Sequence, residues 1–226
     1  MKWLVTFFET GVGKKLLMGF TGLFLILFLV VHLVGNLQLL KDDGGEAFNT
    51  YAHFMTTNPL IKVIAYGNYF FLLLHAFVGI SLAIYNRKAK GKRNAVAFKN
   101  PRVTWASQNM ALLGMLILAF LFMHMGDFWF KMKTGQLNVV DYGNGEVKDL
   151  FSAVSASFKE LWIVIAYVIG QIVLAYHLWH GFQSAFQSLG VNHIKYTPFI
   201  KQFGKWYSIL IPLGFAILPL YYYFFK

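Results

Sequence analysis

The chain has 226 residues, of which 58% are apolar and 13% charged, whereas ordinary soluble domains carry about 25% charged residues. Its mean hydropathy of +0.55 indicates a protein that lies in a lipid bilayer. Because it contains no cysteine, the chain itself has no disulfide, cysteine-ligated iron–sulfur cluster or covalently attached c-type haem. Residues 1–15 lack a cleavage site after a short apolar core, so no removed signal peptide is expected.

Five apolar segments are long enough to cross a bilayer as helices. A helix rises about 1.5 Å per residue, so about 20 residues cover the roughly 30 Å of hydrocarbon. We therefore predict an all-α integral membrane protein, a single transmembrane domain over residues 1–226 without strands or a soluble domain. The third connection, residues 131–158, has room for a short surface helix at about 147–157. The predicted spans are approximately 16–40, 60–85, 105–130, 161–188 and 203–225.

The net charge of +11 is unevenly distributed between the connections. Lys and Arg accumulate on the cytoplasmic side of membrane proteins, and 13 of the 20 here lie before the first span or in the second and fourth connections. Eight of the nine acidic residues lie on the opposite side. This pattern predicts a cytoplasmic N-terminus and an external C-terminus. Because the positive charge follows the membrane sides, we do not expect nucleic acid as a partner. The 13 basic residues are Lys2, Lys14, Lys15, Arg87, Lys88, Lys90, Lys92, Arg93, Lys99, Arg102, Lys195, Lys201 and Lys205.

Five of the seven histidines fall inside the predicted spans, and four of them form two layers. Ionisable residues at membrane depth are costly and commonly mark a functional site. The helix rise places His32 and His124 near the outer face. It places His75 and His177 near the inner face, about 15–20 Å away along the membrane normal. One histidine from each of the first four spans, paired at two levels, is the arrangement that two stacked b-type haems require.

Glycines close to these histidines favour haem binding. A flat macrocycle needs clearance against the helix that supplies its ligand. Gly79 and Gly181 each follow a histidine by four residues, on the same helical face, and Gly35 follows His32 by three. The alternative is that these glycines only allow close helix packing, as small residues commonly do in membranes.

The fourth span contains a second histidine, His180, on the same face as His177. We favour His177 as the ligand because its depth matches that of His75. His180 would then contact a haem propionate or a quinone, or else be a hydrogen-bonded interface residue. The fifth span has no histidine and contains Pro212 and Pro219, so we expect it to form a packing wall.

The ordered set of these residues resembles a known family. The set comprises H-L-V-G-N from residue 32, one histidine in each of the next two spans, H-x-x-x-G-F-x-S over residues 177–184, and L-G at 189–190. It is similar to the five-helix, dihaem cytochrome b subunit of succinate dehydrogenases and fumarate reductases, over essentially the whole chain. No single motif is decisive, but the order of the set is fairly specific.

The resemblance implies a haem-binding anchor in the bacterial inner (cytoplasmic) membrane. It implies that His75 and His177 hold a proximal haem b and that His32 and His124 hold a distal one. An FAD-containing flavoprotein subunit and an iron–sulfur subunit would bind at the cytoplasmic face, and menaquinone would exchange electrons with the complex. This chain would then be the quinone-reacting, electron-transfer subunit of a succinate:quinone oxidoreductase, and would perform no carbon chemistry itself.

Two positions depart from the pattern of that family. Some dihaem fumarate reductases carry an acid two residues before the fourth-helix ligand, associated with transmembrane proton movement, where this chain has Ala175. A carboxylate after the first span, implicated in menaquinol oxidation in the same enzymes, has no clear counterpart, and His53 lies in that neighbourhood. His53 is either a proton acceptor of an outer quinone site or an ordinary interfacial residue. His193, in the inner loop, is a contact to the soluble partner or a solvated residue.

The sequence leaves two other functions open. The haem b subunits of other respiratory complexes, of the formate dehydrogenase or hydrogenase type, also carry transmembrane histidine pairs. A transporter could use intramembrane histidines as a proton relay, in which case the purified protein would be colourless.

Overall fold

The computed structural model describes residues 2–90, 104–143 and 145–226, which are almost entirely helical. Residues Leu37–Leu40 continue α2 as a 3₁₀ turn, and Met125–Phe130 continue α6 as a π-helix. Four of the predicted inner basic residues, Lys92, Arg93, Lys99 and Arg102, lie outside the described residues. The helices are α1 (Lys2–Glu9), α2 (Gly11–Asn36), α3 (Glu46–Thr57), α4 (Pro59–Lys90), α5 (Trp105–Gln108), α6 (Met110–His124), α7 (Lys131–Lys133), α8 (Leu150–Ser157), α9 (Leu161–Ser188) and α10 (Thr197–Phe225).

Five helical segments of the described chain are long and apolar enough to cross a membrane, as predicted. The first begins at residue 11 and the fifth at residue 197, five and six residues earlier than expected. Pro198 lies in the first turn of α10, where proline is compatible with the helix because the first N–H groups have no partner in the helix. The five segments are Gly11–Leu40, Pro59–Ala89, Met110–Lys133, Leu161–Ser188 and Thr197–Phe225.

The prediction that the chain contains no strand is wrong for the third connection. Strands β1 (Val139–Asp141) and β2 (Glu146–Lys148) form an antiparallel hairpin there. The Asp141 carboxylate accepts the backbone N–H groups of Gly143 and Gly145, and both glycines adopt a positive φ that few other residues tolerate. The expected surface helix is present as α8 but begins three residues later than predicted, because β2 occupies residues 146–148.

Four of the long helices form a closed ring. Helix α2 packs against α4, α4 against α6, α6 against α9, and α9 back against α2. Helices α2 and α6 are therefore diagonal across the bundle, as are α4 and α9. Helix α10 lies outside the ring on α9 and α2, where Tyr207 donates a hydrogen bond to the carbonyl of Ile26 and Tyr222 donates to that of Leu39.

One end of the bundle is covered by α3, the β1–β2 hairpin and α8, and we call it the cap end. The opposite end carries α1, and we call it the α1 end. At the cap end, Lys226 after α10 pairs with Asp42 after the first span, with the two charged atoms 2.8 Å apart. The aromatic and aliphatic side chains beneath the cap form one buried cluster, which comprises Leu39, Phe48, Phe128, Val154, Phe158, Ile163, Tyr167, Leu218 and Tyr222.

Asn49 is the polar centre of the cap and is only 1% exposed. Its Nδ2 donates to Tyr142 Oη and to Asp149 Oδ1, both at 3.0 Å, and its Oδ1 accepts the N–H of Phe151 at 2.9 Å. These bonds join α3 to the hairpin and to α8. Partial burial raises the pKa of Asp149, but hydrogen bonds from Ser152 and Asn49 outweigh burial and hold that pKa below its ordinary value.

We expect Asn49→Ala to loosen the cap, because it leaves the Phe151 N–H without its acceptor and removes two donors. Each buried group left without a partner costs about 1–3 kcal/mol. Amide hydrogen exchange over residues 139–157 should accelerate, and the thermal unfolding midpoint in detergent should fall. Tyr142→Phe, which removes one of the three bonds, is the matched control and should show a smaller change. Unaltered exchange in the Asn49→Ala protein would contradict this role.

Candidate functional site

Four of the histidines inside the spans meet in two couples across the ring. The ring centroids of His32 and His124 are 5.8 Å apart, with the planes at 87°. Those of His75 and His177 are 6.3 Å apart, with the planes at 67°. Each couple joins diagonal helices, so the line between its two rings crosses the interior of the bundle. We call the couple of His32 and His124 the cap-end pair, and the couple of His75 and His177 the α1-end pair. These are the couples that the depth of each histidine along its helix predicts.

The two pairs lie at separate levels of the bundle. Thr21, which contacts the α1-end pair, precedes His32 by eleven residues of α2, or about 16 Å at the rise of a helix. Tyr167, which contacts the cap-end pair, precedes His177 by ten residues of α9, or about 15 Å. Counting residues along α2 and along α9 therefore gives nearly the same distance between the levels of the two pairs.

The spacing within each pair is compatible with two imidazoles that share one metal ion. A metal–imidazole bond is about 2.0–2.1 Å long and the bonding nitrogen lies about 1.1 Å from its ring centroid, so two such ligands have centroids up to about 6.3 Å apart. The observed 5.8 and 6.3 Å do not exceed this value and are also ordinary distances for rings in edge contact. Within the described ranges, no group of three or more His, Cys, Asp or Glu side chains is placed to hold an ion.

Thr21 contacts His75 from the neighbouring helix. Thr21 is 1% exposed, and its Oγ1 lies 3.0 Å from Nδ1 of His75. The same hydroxyl lies 2.7 Å from the carbonyl oxygen of Leu17, to which it can donate. With its proton given to Leu17, the hydroxyl would accept from Nδ1 of His75, and we expect this tautomer, in which Nε2 is unprotonated.

Tyr167 has the corresponding position in the cap-end pair. Its hydroxyl lies 3.1 Å from Nδ1 of His124, and its ring packs against Phe158 with centroids 5.0 Å apart. A tyrosine hydroxyl can donate or accept, so this contact is compatible with either tautomer of His124. Asp127 follows in the π-helical segment; one carboxylate oxygen faces Lys131 at 3.9 Å, and the other is buried without a partner among the described residues.

The other two imidazoles are held less firmly. Nδ1 of His177 is buried and makes no hydrogen bond within the described part of the chain. Four other buried polar atoms of the described chain are also without a hydrogen-bond partner, namely Asn68 Oδ1, Asp127 Oδ2, Ser155 Oγ and Gln171 Oε1. Nδ1 of His32 lies 3.4 Å from the amide nitrogen of Asn36, which donates at the shorter distance of 2.7 Å to the His32 carbonyl.

The three glycines predicted to give clearance have different surroundings. A Cβ atom on Gly181 would meet nothing within 4 Å, and one on Gly79 would meet only Met18, at 3.6 Å. Both positions leave room near their histidines. A Cβ on Gly35 would instead lie 2.5 Å from Cε1 of Tyr51, so this glycine admits an aromatic ring from α3.

The remaining histidines lie outside both pairs. His180 is half-buried, one turn beyond His177 towards the α1 end. His53 is exposed on α3 and does not line the cavity of about 560 Å³ that opens at the cap end. His193 is exposed between α9 and α10 and stacks on Tyr196, with centroids 5.2 Å apart.

Sequence reasoning missed several residues around the pairs. Thr21 and Tyr167 touch imidazoles of other helices, and a Cβ on Gly22 would lie 3.4 Å from Cε1 of His75. These partners come from neighbouring helices, so no spacing along the chain marks them. The only available signal was the presence of polar or small residues inside apolar spans.

Comparison with known proteins adds no family assignment. A scan against protein-family models, a search of curated proteins and a search of solved structures each find no match to this chain. Function is therefore inferred from the geometry of the two pairs together with the ordered motifs of the sequence.

We expect Thr21→Val to leave the Nδ1–H of His75 buried without an acceptor, at a cost of about 1–3 kcal/mol. Valine matches the shape of threonine, so packing changes little. Nitrogen-15 NMR of histidine-labelled protein should show His75 protonated on Nδ1 in the wild type and a mixture of tautomers in the variant. Thr21→Ser keeps the hydroxyl and should resemble the wild type. Identical spectra and thermal stability for Thr21→Val would overturn the assignment.

Proposed function

We propose that this chain is the membrane-anchor cytochrome b subunit of a succinate:quinone oxidoreductase, and that it binds two b haems. The observation that carries this proposal is the meeting of four imidazoles, from four helices, in two couples at separate levels of the bundle. The ordered motifs that resemble the dihaem anchor subunits support the same function.

The proposed ligands are the two histidine pairs. His32 and His124 would hold one haem iron, and His75 and His177 the other. Each bound haem would supply a carrier of one electron. Thr21 would orient the imidazole of His75 through the contact between its Oγ1 and Nδ1, and the ring of four helices would surround both haems.

The proposed orientation places the α1 end in the bacterial cytoplasm and the cap end outside the inner membrane. Basic residues of the described chain support it, since Lys14, Lys195 and Lys201 lie at the α1 end. The flavoprotein and iron–sulfur subunits would bind there. Ile194, which is 86% exposed, and Phe199 provide apolar surface beside those lysines.

The overall reaction is the oxidation of succinate to fumarate coupled to the reduction of menaquinone to menaquinol. Succinate gives up two electrons and two protons, and menaquinone takes up the same numbers. The flavoprotein performs the carbon chemistry at the α1 end. The two histidine pairs, about 15 Å apart in depth, would hold the electron carriers between the cytoplasmic partner and a quinone near the cap end. Fumarate reduction would reverse the direction.

We expect the purified chain to show b-type bands on reduction with dithionite, with two haems per chain. His32→Ala and His75→Ala should each lower the haem content from two to about one, because each removes one imidazole of a different pair that would hold a haem. His53→Ala and His193→Ala change exposed histidines and should retain both haems. A wild-type protein without porphyrin, or full haem content in both ligand variants, would refute the proposal.

The catalytic partner can be tested separately. Affinity purification of the tagged chain from native membranes in mild detergent should recover an FAD protein and an iron–sulfur protein. Succinate should then reduce the b-type bands of the purified complex. Recovery of a formate dehydrogenase or hydrogenase subunit, with bands that respond to formate or hydrogen instead, would support the rival assignment.

A further inference from the structure

We propose that Thr21 lowers the reduction potential of the haem at the α1-end pair, by accepting a hydrogen bond from Nδ1 of His75, and that the other half of the bundle lacks this hydrogen bond. Thr21 is then a positioning residue, which acts on the haem through His75. This inference rests on the proposed function, because it assigns a role towards a bound haem.

The ring of four helices consists of two similar halves, α2 with α4 and α6 with α9. Three residue types recur 92 positions apart between α2 and α6, and two recur 102 positions apart between α4 and α9. The packing repeats as well, since Phe28 stacks on His32 with ring centroids 5.1 Å apart and Phe120 stacks on His124 at 5.8 Å. The halves therefore place equivalent side chains around equivalent imidazoles. The matched residues are Gly22 and Gly114, Phe28 and Phe120, His32 and His124, His75 and His177, and Gly79 and Gly181.

The same correspondence holds beside the α1-end pair. A Cβ on Gly22 of α2 would lie 3.4 Å from Cε1 of His75 on α4. A Cβ on Gly114 of α6 would lie 3.9 Å from Cε1 of His177 on α9. In each half, the glycine thus lets one helix approach the imidazole of the other closely.

The residue before this glycine differs between the halves. In the first half it is Thr21, which is 1% exposed and whose Oγ1 lies 3.0 Å from Nδ1 of His75. In the second half it is Leu113, which is 2% exposed and has no polar group on its side chain. Nδ1 of His177 is buried without a hydrogen-bond partner among the described residues. Only one imidazole of the α1-end pair therefore has a hydroxyl beside its Nδ1.

A hydrogen bond at Nδ1 changes the ligand that an imidazole offers to iron. A neutral imidazole bound through Nε2 carries its proton on Nδ1, so Oγ1 of Thr21 would be the acceptor. An acceptor on this proton makes the imidazole a more basic ligand. A more basic ligand stabilises ferric iron over ferrous iron, and hydrogen bonding around the ligands is one of the means by which a protein sets a haem potential. Removal of the Thr21 hydroxyl should therefore make the haem easier to reduce.

The test is a potentiometric titration of the purified full-length chain with its haems, followed by the b-type absorption bands. In Thr21→Val, the midpoint potential of the α1-end haem should rise. Loss of one hydrogen bond should increase its ratio of reduced to oxidised form at a fixed potential about two- to tenfold. The cap-end haem should keep its midpoint, and Thr21→Ser, which keeps the hydroxyl, should titrate as the wild type. His32→Ala, which is expected to lose the cap-end haem, identifies the midpoint that belongs to the α1-end pair.

The equivalent position on α6 provides the reverse test. Leu113→Thr places a hydroxyl where the second half has none, and its proton can go to the carbonyl of Asn109, which already accepts the Leu113 N–H at 2.9 Å. The hydroxyl oxygen could then accept from Nδ1 of His177 and lower the midpoint of the α1-end haem. Leu113→Val has nearly the shape of the threonine variant without the hydroxyl, so it is the matched control for altered packing. The midpoint should be lower in Leu113→Thr than in Leu113→Val.

The outcomes separate this inference from the proposed function. A raised midpoint of the α1-end haem in Thr21→Val, with both haems bound and the cap-end midpoint unaltered, supports the role of Thr21. An unaltered midpoint, or equal shifts of both haems, overturns that role and leaves the proposed function standing. If Thr21→Val loses the haem, equal midpoints in Leu113→Thr and Leu113→Val overturn the inference, and a lower midpoint in Leu113→Thr supports it. A wild-type chain that binds no haem overturns the proposed function, and this inference with it.

Discussion

The structure depends on how imidazole nitrogens are satisfied inside a bilayer. The hydrocarbon of a bilayer offers no hydrogen-bond partner, so a polar side chain at that depth is costly unless another helix or a bound group pairs with it. Thr21 on α2 bonds His75 on α4, and Tyr167 on α9 bonds His124 on α6. These two contacts join neighbours of the ring, while the imidazole couples span its diagonals. The hydrogen bonds hold neighbouring helices together, and the imidazole rings in contact set the distance between diagonal helices.

The cap and α10 support this arrangement from outside the ring. Helix α10 is tied to α2 through Tyr207 and Tyr222, whose hydroxyls donate to backbone carbonyls near the middle and the end of the first span. Beneath the cap, Phe128 and Phe158 pack around Tyr167, which in turn contacts the cap-end pair. The cap thus contacts the cap-end pair through aromatic packing. The hydrogen bonds of Asn49 join the three elements of the cap, which are α3, the hairpin and α8. On the α1 side, a second buried cluster of Ile26, Leu178, Phe182 and Tyr207 joins α2, α9 and α10 beside the α1-end pair.

The two ends of the bundle differ in their surfaces. The α1 end carries lysines and exposed apolar side chains, among them Ile194 and Phe199. The cap end is covered by α3, the hairpin and α8, and a shallow depression between α3 and the last turn of the first span is lined mainly by polar and charged residues. The two imidazole pairs lie between these ends.

Sequence alone determined the five spans and the couples in which the histidines meet, because helix rise is constant and converts residue number into depth. It did not reveal which way a side chain points around the helix axis or what faces it. Gly35 illustrates this: spacing from His32 suggested clearance for a haem, but the tertiary structure places the Tyr51 ring there. Thr21, Tyr167 and the hairpin at residues 139–148 became evident only from the fold. Their roles depend on contacts between distant segments, which packing decides and local periodicity does not encode.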